Sequence, residues 1–235
     1  MSTFQEICEQ VAPKIGVDQT LFASVIGGTA QEQIDILEIA RDSVEALTEA
    51  HDWQVLKSVA TINTGDGATE AFNLPSDYGR MPATANLRSS RLIGPYQHIV
   101  DEDEWLEIDI RDYEQVTGVW TLIGGQINIK PAPESTETIK YYYQSNAVVD
   151  PVSGSNKAFF TVDTDTIRIP ERLLRLDMIW RWKASKGTPY EEDLENFNIA
   201  FEHRKAADKG ARIIAVGRTR LPRGAKYAWP RTISS

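Results

Sequence analysis

The feature that most constrains the fold is a change of hydrophobic period near Lys57. Before that point, apolar side chains recur at helical spacing, which predicts a long amphipathic helix from Thr29 to about Trp53. Its apolar positions include Ile34, Leu37, Ala40, Val44, Leu47 and Ala50. From Lys57 to Phe160 the chain is rich in threonine, isoleucine, tyrosine and glycine in period-two stretches, which indicate strands. Such a chain must combine helices with sheets, which excludes coiled-coil and collagen-like folds.

Two shorter helical patterns precede the long helix. Residues 3–13 predict a helix that breaks at Pro13 and Gly16, and Asp18 is placed to cap a short turn after it. Cys8, the only cysteine, falls on the apolar face of the first helix. We therefore expect a buried structural thiol, without a disulfide or a multi-cysteine zinc site.

The middle of the chain predicts five short strands and one helix. The strands fall at residues 58–63, 71–74, 119–123, 126–130 and 138–143. Gly124-Gly125 predicts a tight hairpin between the third and fourth strands. Residues 101–113 are strongly acidic and predict a short helix for which Asp101 is a plausible cap, and residues 146–157 predict a loop.

Helical periodicity returns at Pro170, which suits a first helical position, and it ends near Gly187. A second helix follows Pro189 and continues to about Val216, where Gly217 closes it. Pro222 then marks the start of an extended segment.

Together these patterns predict an α+β fold: a helical bundle with a small antiparallel β insertion between helix pairs and an extended C-terminal arm. We expect residues 1–56 and 168–217 to form the bundle, residues 57–167 the insertion, and residues 218–235 the arm. An insertion explains this order better than separate domains, because no long Pro-, Ser- or Gly-rich linker divides the blocks.

Charge is distributed very unevenly along the chain. Residues 1–200 hold 32 acidic and 16 basic side chains, whereas residues 201–235 hold 2 acidic and 9 basic ones. An acidic body repels nucleic acid phosphates, while a basic tail is drawn to an acidic surface. The tail also carries Leu221, Tyr227 and Trp229, which purely solvating tails rarely contain. We interpret it as an arm that becomes ordered on a partner.

Membrane and secretion signals are not readable in the sequence. No apolar run approaches the roughly 18 residues of a membrane-spanning helix, so we expect no membrane partner. The first ten residues include Glu6 and Glu9 and lack a basic region followed by an apolar stretch. We therefore expect no signal peptide and synthesis in a cytoplasm-like compartment.

No motif in the sequence supports catalysis, and we expect no catalytic, cofactor-binding or metal-binding residue. Gly65-Asp66-Gly67 lacks the lysine of a phosphate loop and predicts a β-turn. Asp163 and Asp165 lack the glycine and glutamate of a calcium loop. The acidic run at residues 101–104 is typical of a solvated surface. Residues 180–190 interleave aromatic and basic side chains, but their spacing favours a buried helix over a nucleic-acid site.

Four motifs occur in an order that points to a family. They are Trp53-Gln54-Val55-Leu56, Gly65-Asp66-Gly67, the segment FNLPSDYGRM at residues 72–81, and GGQINIKP at residues 124–131. In the third motif, Pro75 ends strand pairing, and we expect Asp77 to accept backbone N–H bonds in the turn that follows. We expect Phe72 and Leu74 to anchor that strand in a core.

This order, over residues 30–145, resembles the head–tail adaptor proteins of tailed bacteriophages and gene-transfer agents. The resemblance implies a ring of probably twelve copies that binds the portal protein below the capsid, contacts a downstream tail or neck protein, and lets DNA pass without specific binding. It implies a location at the head–tail junction of the virion. In the family, the C-terminal arm docks on the portal. The portal-binding candidates here are Arg218, Arg220, Leu221, Arg223, Lys226, Tyr227, Trp229 and Arg231.

Three alternatives remain open at the level of sequence. A nucleic-acid-binding protein could use the basic arm, and its affinity would fall steeply with salt. A hydrolase of cell-wall glycan would need two carboxylates about 5–10 Å apart, and no sequence spacing singles out such a pair. Another tail or neck completion protein would differ from the adaptor only in its partner.

Overall fold

The computed structural model describes residues 2–82, 85–111 and 118–208. Within these ranges the chain forms five α-helices, two short 3₁₀ helices and ten strands, so the fold is mixed α+β. The helices are α1 (Phe4–Ile15), α2 (Gln31–Ala50), α3 (Glu102–Arg111), α4 (Glu171–Ser185) and α5 (Glu191–Asp208), with 3₁₀ turns at Gln19–Ala23 and Gln54–Leu56. The strands are β1 (Lys57–Ile62), β2 (Ala71–Asn73), β3 (Tyr78–Arg80), β4 (Arg88–Ser89), β5 (Gln97–His98), β6 (Val119–Ile123), β7 (Gln126–Lys130), β8 (Ile139–Ser145), β9 (Val149–Asp150) and β10 (Thr166–Ile167).

The first helix begins and ends at clear capping residues. Thr3 Oγ1 accepts from the Glu6 backbone N–H at 3.2 Å, and the Glu6 carboxylate accepts from Thr3 N at 3.0 Å. Gly16 ends α1 in the left-handed conformation, at φ 76°. The predicted break at Pro13 is wrong by two residues, because α1 continues through Pro13 to Ile15. The cap at Asp18 is confirmed, since its carboxylate accepts from Thr20 N at 2.9 Å.

The long helix is two residues shorter at its start than predicted and three shorter at its end. Ala30 is extended, so α2 begins at Gln31 and Thr29 lies outside it. At the other end His51 is extended, and Trp53 folds back under the helix. The Trp53 indole N–H donates to the Leu47 carbonyl at 2.7 Å and the ring is fully buried. This bond satisfies one of the carbonyls that a helix end leaves unpaired.

One hydrophobic cluster lies among the helices. It combines the apolar faces of α1, α2 and α4 with side chains that precede α4 in the chain, such as Val149, Phe160 and Ile167. Phe160 stacks on Phe4 with ring centroids 4.3 Å apart. Cys8 is part of this cluster as predicted, and burial raises the pKa of its thiol far above the ordinary value.

The two large sheets both contribute side chains to a second hydrophobic cluster. β8 pairs with β1 along one edge and with β3 and β4 along the other, all antiparallel. The other large sheet has the order β2-β7-β6-β5. Both sheets contribute buried side chains, including Ile62 and Tyr141 from the first and Trp120 and Ile127 from the second.

The prediction of a purely antiparallel β region is wrong. β5 pairs with β6 in parallel, with Gln97 opposite Val119 and His98 opposite Trp120. Between these strands the chain leaves the sheet through α3, and such a crossover returns the next strand in the same direction. The predicted loop at residues 146–157 also contains β9, which pairs with β10. Two-residue strands have no measurable period, so the sequence could not reveal them.

The last two helices pack against each other, and α4 also contacts α1 and α2. Pro170 caps α4 and does not occupy its first turn, which corrects the predicted start by one residue. The prediction of a buried α4 is confirmed, and its Asp177 is buried as well, where it accepts from the Trp180 indole and the Arg181 guanidinium, each at 2.7 Å. α5 is described to Asp208, and the predicted continuation to Val216 lies outside the described residues.

Two aspartates that precede β10 fix the loop before α4: Asp163 joins it to the segment that leads into α2, and Asp165 closes the loop on itself. Asp163 accepts from Val25 N at 3.1 Å and from Ile26 N at 2.9 Å. The Asp165 carboxylate, only 1% exposed as a residue, accepts from Thr161 N at 2.8 Å and from Val162 N at 3.0 Å. Burial opposes ionisation of Asp165, but these bonds and the Lys157 cation outweigh it and hold its pKa below the ordinary value of 3.8.

We expect Asp165→Asn to lower the free energy of unfolding at pH 7 by about 1–2 kcal/mol, because hydrogen bonds to a charged group are the stronger kind. The ionised carboxylate stabilises the fold above its unfolded pKa, and this contribution is lost as pH falls through the lower folded pKa. Urea unfolding at pH 7 and pH 3 should therefore show a smaller difference between variant and parent at pH 3. Asp103→Asn, on the exposed face of α3, is the control, and a difference that does not change with pH would contradict this account.

Candidate assembly interface

All of the predicted portal-binding residues, from Arg218 to Arg231, lie outside the described residues. The structure does show where the segment that carries them leaves the fold. Asp208, the last described residue, accepts from Gln54 N at 3.0 Å, and its carboxylate lies 3.3 Å from His51 Nε2. Two turns earlier, Phe201 packs edge-on against Trp53 with centroids 6.2 Å apart. The segment therefore begins beside the C-terminal end of α2.

A groove between α4 and α5 opens close to this point. It has a volume of about 540 Å³ and is mainly apolar, with Leu173 at its base and Ile199 52% exposed at its edge. Arg172 and Arg204 also line it, and neither has an ion pair among the described residues. A cationic apolar groove on a body dominated by acidic residues suits an acidic partner surface.

Helix α3 has the opposite character. Its Trp105 and Ile108 are buried, while Leu106 and Ile110 are 53% and 80% exposed, one helical turn apart. The acidic run that the sequence indicated lies at its exposed N-terminal end. Lys130 fastens the helix to β7 through an ion pair with Asp109 at 2.5 Å. α3 thus presents an acidic ridge with two apolar side chains, which is the complement of the α4–α5 groove.

The segment FNLPSDYGRM forms the connection between sheet and helix. Arg80 Nη1 pairs with Asp52 at 2.5 Å, and its Nη2 donates to the carbonyls of Thr48 and Glu49 at 3.4 and 3.3 Å. Those carbonyls belong to the last turn of α2, where a cation is favoured by the helix dipole. Arg80 therefore fixes the end of α2 against β3.

Asp77 holds the same segment to β8, in a way that corrects the prediction. Its carboxylate accepts from Tyr143 Oη at 2.8 Å and Ser145 Oγ at 2.7 Å, instead of capping the backbone of the turn that follows. The reason is that β3 pairs with β8, which brings these hydroxyls beside the turn. Burial opposes ionisation of Asp77, yet the hydroxyl donors prevail and lower its pKa.

The Gly-Asp-Gly motif packs against the loop that directly follows the fourth motif. Gly67 N donates to the Pro133 carbonyl at 2.9 Å, which joins the Gly-Asp-Gly turn to the loop after β7. A Cβ on Gly65 would lie 2.3 Å from the same carbonyl oxygen, so only glycine fits there. Asp66 closes the turn by accepting from the N–H groups of Ala68 and Thr69, and these bonds lower the pKa of this exposed carboxyl to about 2.

Sequence reasoning missed two buried polar groups in the β region. Glu137 lies within the fold and accepts from Tyr96 Oη at 2.8 Å and Arg91 Nε at 2.9 Å. Gln144 on β8 is buried too, without a hydrogen-bond partner among the described residues. Glu137 lies in the turn before β8 and Gln144 near the end of that strand, where the local sequence carries no signal that distinguishes burial from exposure, so only the fold reveals these positions.

The parts of the chain that the structure describes hold no group of three or more His, Cys, Asp or Glu side chains that could bind a metal ion. Asp163 and Asp165 are occupied by backbone N–H donors instead. None of the described helices is long and apolar enough to span a membrane.

A mixed α+β fold that ends in a strongly basic segment, with acidic and basic surfaces on its body, is typical of a protein that assembles with others. The family model of the SU10 adaptor protein matches residues 2–228. The chain therefore belongs to the SU10 adaptor protein family, which makes it a structural component of a bacteriophage virion that contacts other virion proteins. Membership of this family implies a non-enzymatic role. No curated protein matches the sequence.

We expect Gly65→Ala to lower the free energy of unfolding by about 1–3 kcal/mol, because the added methyl group meets backbone oxygen atoms that cannot move independently. Thermal and urea unfolding measure the loss. Gly94→Ala is the matched control, since nothing lies within 4 Å of a Cβ at Gly94. Equal stability of the two variants would show that the turn and the Pro133 loop separate at little cost.

Proposed function

We propose that this protein is the subunit of a head–tail adaptor ring that binds the portal below the capsid and connects it to the tail. The observation that carries the proposal is the family match over residues 2–228. The partition of charge is independent support, because a basic arm on an acidic body needs an acidic partner to neutralise it. We take the ring to contain twelve copies, in line with the resemblance.

Within the ring, residues 1–56 and 168–217 form the helical bundle and residues 57–167 form the β insertion. The grouping is supported by the helical cluster, which unites α1 and α2 from the first stretch with α4 from the second. The side chains of Val149 and Phe160 pack on the same cluster and would hold the insertion to the bundle.

The bundle lines the channel through which DNA passes. This assignment is supported by α2, on which Glu32, Asp42, Glu45 and Glu49 are exposed and have no ion pair among the described residues. Carboxylates repel phosphates, so a wall of this composition lets DNA slide without binding. A ring of identical chains also needs two different contact surfaces per subunit, and the α3 ridge and the α4–α5 groove are candidates for them.

The C-terminal arm is the portal-binding element, with Tyr227 and Trp229 as anchors and Arg220, Arg223 and Arg231 as charge partners. Aromatic and arginine side chains dominate the binding energy of most interfaces. Because the segment loses conformational freedom when it binds the portal, its few large side chains must offset that cost, so each anchor matters.

We expect the full chain to bind purified portal as a multi-copy ring and a chain lacking residues 218–235 to fail. Trp229→Ala should weaken binding by about 10–100-fold, as for an aromatic anchor. Native mass spectrometry and sedimentation of the mixtures measure the copy number and affinity. Thr232→Ala, a small polar position in the same arm, is the control.

Two outcomes would contradict the proposal. If the full chain stays monomeric and does not bind the portal, the adaptor proposal is wrong. Binding of duplex or single-stranded DNA that falls steeply with salt and disappears with the arm would favour the nucleic-acid alternative.

A further inference from the structure

A second groove, separate from the α4–α5 groove, lies between the last two turns of α2 and strand β8. It has a volume of about 260 Å³, and Val44, Val148 and Phe159 form much of its apolar wall. This volume is below the roughly 300–1,000 Å³ of typical small-molecule sites. It suits one large side chain and the backbone next to it.

Gln144 lines this groove, and its side-chain amide makes no hydrogen bond among the described residues. The residue is 2% exposed, and neither its Nε2 nor its Oε1 has a partner among the described residues. A buried amide without partners is costly, so the arrangement calls for a ligand that offers one acceptor and one donor together. A peptide group of an extended chain offers that pair, as in strand-like recognition.

The rim of the groove selects for positive charge. Glu45 and Glu49 line it, both are exposed, and neither has an ion pair among the described residues. The nearest cation on the rim, Arg80, is already paired with Asp52. The occupant is therefore a basic extended peptide with a large apolar side chain.

The C-terminal segment of this chain, residues 209–235, has these properties. It holds seven lysine or arginine side chains and no acidic one, together with Leu221, Tyr227 and Trp229. It begins directly after Asp208, which is fixed to Gln54 just beyond the end of α2. Its 27 residues span up to about 90 Å when extended, so the groove lies well within reach.

We propose that the α2–β8 groove binds the C-terminal segment of the same chain before assembly. Gln144 bonds to a peptide group of the segment, an apolar side chain fills the groove, and Glu45 and Glu49 pair with its basic side chains. Held in this way, the segment is unavailable to other acidic surfaces until one of them displaces it. A partner can bind the segment only in molecules whose groove is empty. Its apparent affinity for the segment is therefore reduced by the fraction of molecules in that state.

The test is backbone amide hydrogen exchange of residues 209–235 in the purified full-length chain. We expect these amides to be protected in the parent and to exchange about tenfold faster in Glu45→Gln/Glu49→Gln, the combined effect of losing two exposed ion pairs. Glu32→Gln/Asp42→Asn is the control, because it removes the same charge from exposed positions of α2 that do not line the groove. The control should exchange like the parent.

Gln144→Leu is a second variant with a distinct signature. The substitution removes the side-chain amide while nearly keeping the side-chain volume, so we expect it to release the segment as well. It also removes an unsatisfied buried polar group, so we expect no loss of stability. A merely structural Gln144 predicts the opposite pattern: unchanged exchange of residues 209–235 and unchanged or higher stability.

Three results would overturn the proposal: an unprotected segment in the parent, equal exchange in the rim variant and its control, or protection that disappears on dilution. The last result would show that a neighbouring copy supplies the segment. The measurement uses the isolated chain without portal, so it stands apart from the adaptor proposal. A chain that fails to bind the portal would not contradict the groove proposal. A segment that is not protected in the isolated chain would not contradict the adaptor proposal.

Discussion

The structure depends on how the C-terminal end of α2 is satisfied. A helix leaves its last carbonyls unpaired, and here they lie where helices and sheets meet. The Trp53 indole donates a hydrogen bond to the Leu47 carbonyl, and the Arg80 guanidinium donates to the carbonyls of Thr48 and Glu49. The first residue follows α2 in the chain and the second comes from β3. The same bonds that complete the helix therefore also fix the sheet to it.

Several other features follow from this arrangement. Because Trp53 is turned under the helix, its ring meets Phe201 and gives α5 a place to pack. Because His51 and Gln54 come next, their polar groups meet Asp208 and fix the end of α5 beside the end of α2. The motifs that carried the family resemblance are thus structural. Asp77 and Arg80 hold elements together, and Gly65 permits a close backbone contact.

Charge is the second organising property of the molecule. Acidic side chains occupy the exposed face of α2 and the start of α3, whereas Arg172 and Arg204, which have no ion pair within the described part of the chain, line the α4–α5 groove. Surface charges contribute little to the stability of a single chain, so folding alone does not explain their separation into patches. It becomes useful when subunits meet, since opposite patches attract and orient their partners while like charges exclude wrong contacts.

The sequence by itself determined the local features of this protein. Periodicity located four of the five helices, an acidic run with a capping aspartate located α3, and hairpin glycines located β6 and β7, because each of these signals is contained in a short stretch of chain. The order of motifs along the chain indicated the family. It did not reveal β3, β4, β5, β9 or β10, which are two or three residues long and exist only through their pairing partners. It likewise could not place Asp77 against Tyr143, Arg80 on α2, or Gln144 in a groove. Those contacts join residues from 31 to nearly 100 positions apart, and only the tertiary structure, by bringing strand and helix together, decided them.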